Sequence, residues 1–261
     1  MNAQSHRSDP RILGRRTLQR DHRYLVELLR PGISVLDVGC GTGAITAGMA
    51  KAVGPLGYVV GVDRDEGLLD LARKEHGTVP NLRFEYGDAT GLNYRMQFDI
   101  VTAARTLQWI ADPKPALSKM KEAARPTGML VVLDYNHASS EWKPDPPREF
   151  SQFYSAFLAW RQANEWDNEI ADHLPELFRA VGLIDVESFV QDEVVERGEP
   201  EFAERAALWS EVIENIGEQL AKAGFCLESD LQVARQCYDS WAKTELVTQR
   251  LAMRTVTGIV P

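Results

Sequence analysis

Several residue patterns are scarce or missing in this 261-residue chain, and each absence excludes something. There are only three cysteines, Cys40, Cys226 and Cys237, an odd number without the paired spacing of a zinc site. A disulfide framework is therefore excluded and a reducing compartment is expected. No apolar run approaches membrane-spanning length, and the polar stretch Met1 to Arg11 lacks the apolar centre of a signal peptide. A cytoplasmic location without membrane attachment is the expectation. No Lys/Arg-rich run occurs, and the net charge is −9, so nucleic acid is disfavoured as a partner. No His/Asp/Glu arrangement has metal spacing, Gly-x-Ser-x-Gly is missing, and no internal repeat is visible. The hydrophobic fraction of 44% and the charged fraction of 26% suit one α/β domain with decorations.

What is present begins with Val35-Leu36-Asp37-Val38-Gly39-Cys40-Gly41-Thr42-Gly43. An apolar run, Ile33 to Val38, reads as a buried strand and leads into three alternate glycines, then an amphipathic segment from Ala44 to Val53. Strand, glycine-rich turn and helix bring backbone close to a ligand at a helix N-terminus, each missing Cβ leaving room for the bound molecule. A nucleotide or nucleoside ligand is expected. Gly39-x-Gly41-x-x-Ala44 satisfies the loose dinucleotide pattern, with Asp63 twenty positions beyond Gly43 as a ribose acceptor. The same residues also read as Asp-x-Gly-x-Gly-x-Gly from Asp37.

Downstream segments bear on that choice. Tyr58 to Asp63 is an apolar strand ending in an acid, and a helix follows over Glu66 to Glu75. Leu82 to Tyr86 reads as a third strand closed by Gly87-Asp88-Ala89, and Phe98 to Ala103 as a fourth. Ala104 to Pro113 continues from it, and Arg125-Pro126-Thr127-Gly128 precedes a fifth strand, Met129 to Tyr135. Together these segments, over residues 30 to 136, resemble the class I S-adenosylmethionine (SAM)-dependent methyltransferases, in the ubiquinone/menaquinone-methyltransferase-like small-molecule group. Thr127 departs from that pattern, where glycine is common, and so does Arg105, where smaller residues are.

The resemblance implies a doubly wound, seven-stranded, mostly parallel α/β sheet, Rossmann-like, with its seventh strand antiparallel. It implies SAM as cofactor, held by Asp37, Gly39, Cys40, Gly41, Thr42, Gly43, Asp63, Arg64, Gly87, Asp88, Ala89, Ala104 and Arg105. Within that set Asp63 would meet the ribose, Asp88 the adenine amino group, and Arg105 the SAM carboxylate or the substrate. The parts expected are a tail and lid helix (1–30), a SAM-binding core (31–137), a substrate-lid insertion (138–168) and the rest of the core (169–261), with a helical insertion at about 200–246.

The remaining segments read as follows. Ile12 to Leu29 is expected as one helix stopped by Pro31-Gly32; the resemblance offers Arg16, Gln19 and His22 as lid contacts, while a polar helix face in water is the better reading of each taken singly. Pro144, Pro146 and Pro147 predict an extended crossing, and Phe150, Phe153, Tyr154, Phe157 and Trp160 share one face of the next helix. Such a stripe is either core or ligand wall, and its place after strand five favours the wall. A helix over Glu169 to Val181, a sixth strand within Ile184 to Val195, two helices parted near Gly224 and a last strand, Leu251 to Val260, complete the chain.

Methyl transfer requires a nucleophile held at attack distance, water excluded and, for a protonated nucleophile, a base. At the end of strand five, His137 is the base candidate because an ordinary imidazole titrates near neutral pH, with Tyr135 beside it. Trp109, Asn136, Trp142, Phe157 and Trp160 are the candidate substrate contacts, suited to a small planar or apolar acceptor methylated at O, N or C. No metal is expected, and the protein is expected to be a monomer or homodimer. Two other readings stand beside this one: an NAD-dependent oxidoreductase, and a SAM-binding protein without catalysis.

Overall fold

The computed structural model describes residues 8–261. Residues 1–7, part of the expected N-terminal tail, lie outside the described residues. Two compact units make up the chain. The larger takes in the described residues up to Tyr135, then Ile170–Gln191 and Met253–Pro261.

Its leading segment is not one helix but three: α1 (Pro10–Gly14), α2 (Leu18–Asp21) and α3 (Arg23–Leu28). Local capping decides this. Asp9 accepts from the Arg11 amide at the start of α1, and Thr17 Oγ1 accepts from the Arg20 amide at the start of α2. His22, at φ −146° and ψ 48°, leaves helical geometry between α2 and α3. These side chains compete with the ladder of a continuous helix.

Strands β1 (Ser34–Val38), β2 (Tyr58–Asp63), β3 (Leu82–Tyr86) and β4 (Phe98–Ala104) alternate with α4 (Ala44–Val53) and α5 (Glu66–His76), and α6 (Lys114–Ala123) precedes β5 (Ala124–Lys143). The expected segments recur within a few residues, except that β5 starts earlier and runs on to Lys143. After β5 come α7 (Arg148–Ala163), in the smaller unit, then α8 (Ile170–Ala180) and β6 (Ile184–Val190) in the larger. Strands β7 (Glu193–Glu196) and β8 (Thr248–Ile259) follow.

The sheet order is β3-β2-β1-β4-β5-β8-β6, parallel from β3 to β5, with β8 antiparallel to β6. Residues of one strand alternate between two apolar cores. Val35, Val59, Ile100 and Val131 meet Met49, Val53 and Leu69 on one face. Leu36, Val60, Val101 and Val132 meet Leu117, Met120, Leu174 and Phe178 on the other. Helices on both faces make the sheet doubly wound, and β1 and β4 flank the point where the order reverses. Eight strands are found among the described residues rather than seven. The segment expected as one strand, Ile184 to Val195, breaks at Gln191-Asp192, where the chain passes from one unit to the other. β6 pairs with Arg254–Ile259 and β7 with Thr248–Leu251. Thr127 adopts φ 64°, the left-handed conformation that explains why glycine suits this turn.

The smaller unit joins Asn136–Glu169 to Asp192–Ala252, so the two insertions expected separately form one body. In it α7 packs against α10 (Leu208–Lys222) and α11 (Glu228–Thr244), with α9 (Phe202–Ala206) beside α10. The aromatic stripe of α7 forms its interior. Phe150 lies 5.9 Å from Trp209 and 4.5 Å from Tyr238, and Phe157 lies 5.6 Å from Trp209, centroid to centroid. Trp160 meets Trp166 edge-on, and Trp142 meets Phe150, Tyr154 and Trp209 edge-on. Phe157, Trp160 and Trp142, expected as substrate contacts, here pack against other rings of the same unit, as rings with a helical periodicity do when helices are available to cover them.

Candidate active site

The carboxyl ends of β1, β2, β3 and β4 carry the candidate cofactor residues. Gly39, Gly41 and Gly43 all have positive φ, at 79°, 55° and 75°. The turn is tied down by backbone bonds: the Gly39 and Cys40 amides donate to Val62 O, and Gly43 donates to Cys40 O. The space freed by the missing Cβ atoms is occupied by protein, contrary to the sequence expectation. A Cβ on Gly39 would lie 2.2 Å from Thr106 Oγ1, and one on Gly43 would lie 2.5 Å from Phe84 Cζ. Gly41 differs, since its nearest neighbour, at 2.9 Å, is Cδ1 of Leu13 in α1, the movable tip of a side chain.

Asp63 closes β2 and holds the turn. One carboxylate oxygen accepts from the Gly41 amide at 2.8 Å and the other from the Asp65 amide at 2.9 Å. Burial pushes its pKa up, against the pull of those amides. Asp88, after β3, is exposed, and its Oδ1 accepts from the Thr90 amide and hydroxyl. Burial acts to raise its pKa, but the Thr90 bonds and Arg64 outweigh it and the carboxyl sits below its ordinary value. Gly87 donates to Asp63 O, and a Cβ there would lie 2.9 Å from Val62 Cγ1. Arg64 is exposed, Ala89 and Ala104 are half-buried, and Thr42 is buried. Burial raises the Cys40 thiol well above its usual pKa, so it stays neutral.

Asp37 is only 3% exposed and accepts from the Thr46 hydroxyl of α4 at 2.6 Å. Burial lifts its pKa to about 6, opposed by the Thr46 bond and aided by Asp63. This bond pins α4 to β1 from beneath the turn.

Beside this turn a buried polar cluster surrounds Arg105, whose φ is 59°. Its Nε donates to the Tyr135 hydroxyl at 2.9 Å and its Nη1 to Asp21 O at 3.0 Å, while Met253 Sδ lies 3.7 Å from Nη2. Asp21 Oδ1 is 3.9 Å from Nη2, so the buried guanidinium has a carboxylate nearby. Non-glycine residues held at positive φ cluster at functional sites. Sequence reasoning missed this cluster because Asp21, His22, Arg105, Tyr135 and Met253 are far apart along the chain. Trp109, in a 3-10 turn over Leu107–Trp109, is half-buried.

His137 does not have the titration behaviour expected of it. Burial, and secondarily Arg161, hold its pKa well below the ordinary imidazole value. Its ring stands edge-on to Phe157 at 5.4 Å, its amide donates to Asn168 O, and its carbonyl accepts from the Tyr154 hydroxyl. A neutral ring of lowered basicity accepts a proton less readily at neutral pH than an ordinary imidazole. Asn136 Oδ1 accepts from the Ser139 amide. Among the described residues, no group of three or more His, Cys, Asp or Glu side chains could hold a metal, and no helix is long and apolar enough to cross a membrane.

A glycine turn at the reversal point of a doubly wound sheet, followed by acids at the ends of the next two strands, fits a nucleoside ligand. Residues 29–180 match the family model described as methyltransferase domain, which is more than half of the chain. The chain belongs to that methyltransferase family. Demethylmenaquinone methyltransferase from Staphylococcus aureus is 29% identical over 177 residues, spanning 60% of this chain and 70% of that protein. Among solved structures, a SAM-dependent methyltransferase from Aquifex aeolicus superposes with a TM-score of 0.55 at 17% identity, over 98% of this chain and all of that one. Phosphoethanolamine N-methyltransferase 2 of Haemonchus contortus, solved with SAM, gives a TM-score of 0.57 at 19% identity over 92% of this chain, which spans only 52% of its length. The methyltransferase is SAM-dependent and of the small-molecule kind, and the oxidoreductase reading draws no support from these likenesses.

Proposed function

We propose that this methyltransferase transfers the methyl group of SAM to a small, planar, largely apolar acceptor. Asp63 is assigned to the ribose, the Asp88 carboxylate to the adenine amino group, and the backbone of Gly39 to Gly43 to the junction of nucleoside and amino acid. When bound, SAM supplies a methyl group activated by positive sulfur. The chain's own work is to fix that group, keep water out and orient the acceptor. Arg105 Nε donates to the Tyr135 hydroxyl and fixes it in place on β5.

The observation that carries the acceptor class is the 29% identity to a demethylmenaquinone methyltransferase, whose name points to a planar, largely apolar ring compound. Incubation of the protein with SAM and a panel of reduced naphthoquinones, phenols and small amines tests the reading. S-adenosylhomocysteine (SAH) is expected to accumulate with the planar ring compounds, and release with amines alone would overturn the acceptor class.

Asp63→Ala removes the proposed ribose acceptor together with the support of two backbone amides. SAH affinity is expected to fall about ten- to a hundredfold, and stability by about 1–3 kcal/mol. Calorimetry and denaturant melts check the two effects separately. Parental SAH binding by the variant would show that β2 does not end at the ribose.

A further inference from the structure

Arg105 occupies a position that disfavours it twice over. It is the residue after β4, its φ of 59° is a conformation that side chains avoid, and its side chain is only 3% exposed. Backbone strain and a buried charge persist only where the surrounding contacts demand them. Here the guanidinium reaches two other elements. Nε holds the Tyr135 hydroxyl on β5, Nη1 holds the carbonyl of Asp21 on α2, and Nη2 lies 3.9 Å from the Asp21 carboxylate. A planar fork with divergent donors meets acceptors on different elements at once, which the single ammonium of a lysine does not.

Asp21 passes the restraint on. Its Oδ2 accepts from the Thr17 amide at 2.7 Å and from Arg20 Nε at 3.1 Å, so one acid fastens both ends of α2. Arg20 Nη2 in turn donates to Arg15 O at 2.7 Å, in the link between α1 and α2. The next residue, His22, is tied to β4 by the contact of its Nε2 with Thr102 Oγ1 at 2.9 Å. Leu18 presses on α4 where Gly48 leaves room, since a Cβ there would lie 2.7 Å from Leu18 Cβ. The segment fixed in this way reaches the glycine turn. Leu13 Cδ1, on α1, lies 2.9 Å from the place of an added Cβ on Gly41. A continuous line of contacts thus runs from the end of β4 through α2 to the turn.

We propose that Arg105 is a positioning residue for the cofactor: by gripping Asp21 it holds α1 and α2 in place, and with them Leu13 against the turn at Gly41. It acts through the N-terminal segment and not by touching the ligand. This role rests on the reading of the chain as a SAM binder. Direct contact between Arg105 and the cofactor's carboxylate is the competing role, and the two differ in which ligands they affect. A residue that meets the carboxylate matters only to ligands that carry one. A residue that holds Leu13 at the turn matters to every ligand that carries the nucleoside and thioether.

SAH and methylthioadenosine, which keeps the nucleoside and thioether but lacks the amino-acid end, separate the roles. By calorimetry, Arg105→Gln should bind both ligands about tenfold more weakly, and stopped-flow should show the loss as faster dissociation. A loss for SAH alone gives Arg105 to the carboxylate and overturns the proposal. A variant that melts lower yet binds both ligands as the parent does has lost only structure, which overturns it as well. Asp21→Asn, with Arg105 intact, should weaken both ligands in the same way, and the double variant should lose no more than Arg105→Gln alone. Full additivity of the two losses overturns the route through Asp21. Should these variants not fold, Leu13→Ala decides, because it leaves the cluster whole and removes the contact at Gly41. Both ligands should weaken about equally, and parental binding or a loss confined to SAH overturns the proposal. A parent protein that binds neither ligand refutes the SAM reading itself, an outcome distinct from a parent that binds both without regard to Arg105.

Discussion

Gly43→Ala is expected to destabilise the protein by about 3 kcal/mol, enough to lower the melting temperature by several degrees. Two causes add. The residue sits at φ 75°, where a side chain is disfavoured by about 1–2 kcal/mol. The new methyl would also lie 2.5 Å from Phe84 Cζ and 3.1 Å from Ala72 Cβ, both in the core beneath α4 and α5, and the ring has nowhere to retreat. Gly41→Ala is the control. Its conformation carries a similar backbone cost at φ 55°, but its methyl meets only the tip of Leu13. That variant should stay folded and lose SAH affinity, because the obstruction faces the approach to the turn. Thermal melts of both proteins with calorimetry of the second give the comparison. Equal stability of the two would show that the packing under Gly43 is not as tight as its neighbours indicate.

Acidification should destabilise the protein earlier than carboxylate protonation alone would. His22 and His137 are buried and neutral, with folded pKa values below the ordinary 6.5, at about 3 for His22. In the unfolded chain each takes up a proton as the pH falls through 6.5, and in the folded chain it does not. Their contribution is thus whole above pH 6.5 and is lost downward from there, by about 1.4 kcal/mol per pH unit for His22. Asp37 works in the opposite sense. Its folded pKa of about 6 lies above the unfolded 3.8, so it stabilises as the pH falls across that window and offsets one histidine. Between pH 7.5 and 5 His22 alone accounts for a loss of about 2 kcal/mol, His137 adds to it, and Asp37 and Asp63 oppose it. Urea denaturation at the two pH values measures it, and equal or greater stability at pH 5 would mean that at least one histidine is charged in the folded protein.

The larger unit could be read from the sequence because its signals are local. The run Ile33 to Val38, the glycines after it and the acids closing Tyr58–Asp63 and Leu82–Tyr86 each announce a strand end within a few residues. The N-terminal segment misled for a local reason as well: apolar spacing from Leu18 to Leu29 suits one helix, but Thr17 and Asp21 bond the backbone and break it into pieces. The Arg105 cluster had no such signal. Its members converge only after β4, β5 and the α2–α3 junction are in place. The pKa of His137 was equally invisible, since burial by Phe157 and the charge of Arg161 are tertiary facts. The stripe on α7 was visible as a stripe, but periodicity alone does not reveal that α10 and α11 cover it.

The placement of β8 between β5 and β6 has a consequence for the growing polypeptide. Ser188 pairs with Val256, so β6 leaves the ribosome long before the strand that will receive it has been made. Throughout that interval β5 has β4 on one side and an open backbone edge on the other. Unpaired strand edges are templates for joining other chains, and pairings this distant in sequence form slowly. Vectorial synthesis therefore holds the sheet incomplete while the whole segment from Asp192 to Ala252 emerges, and the edge of β5 stays open until the last strand slots into its interior position.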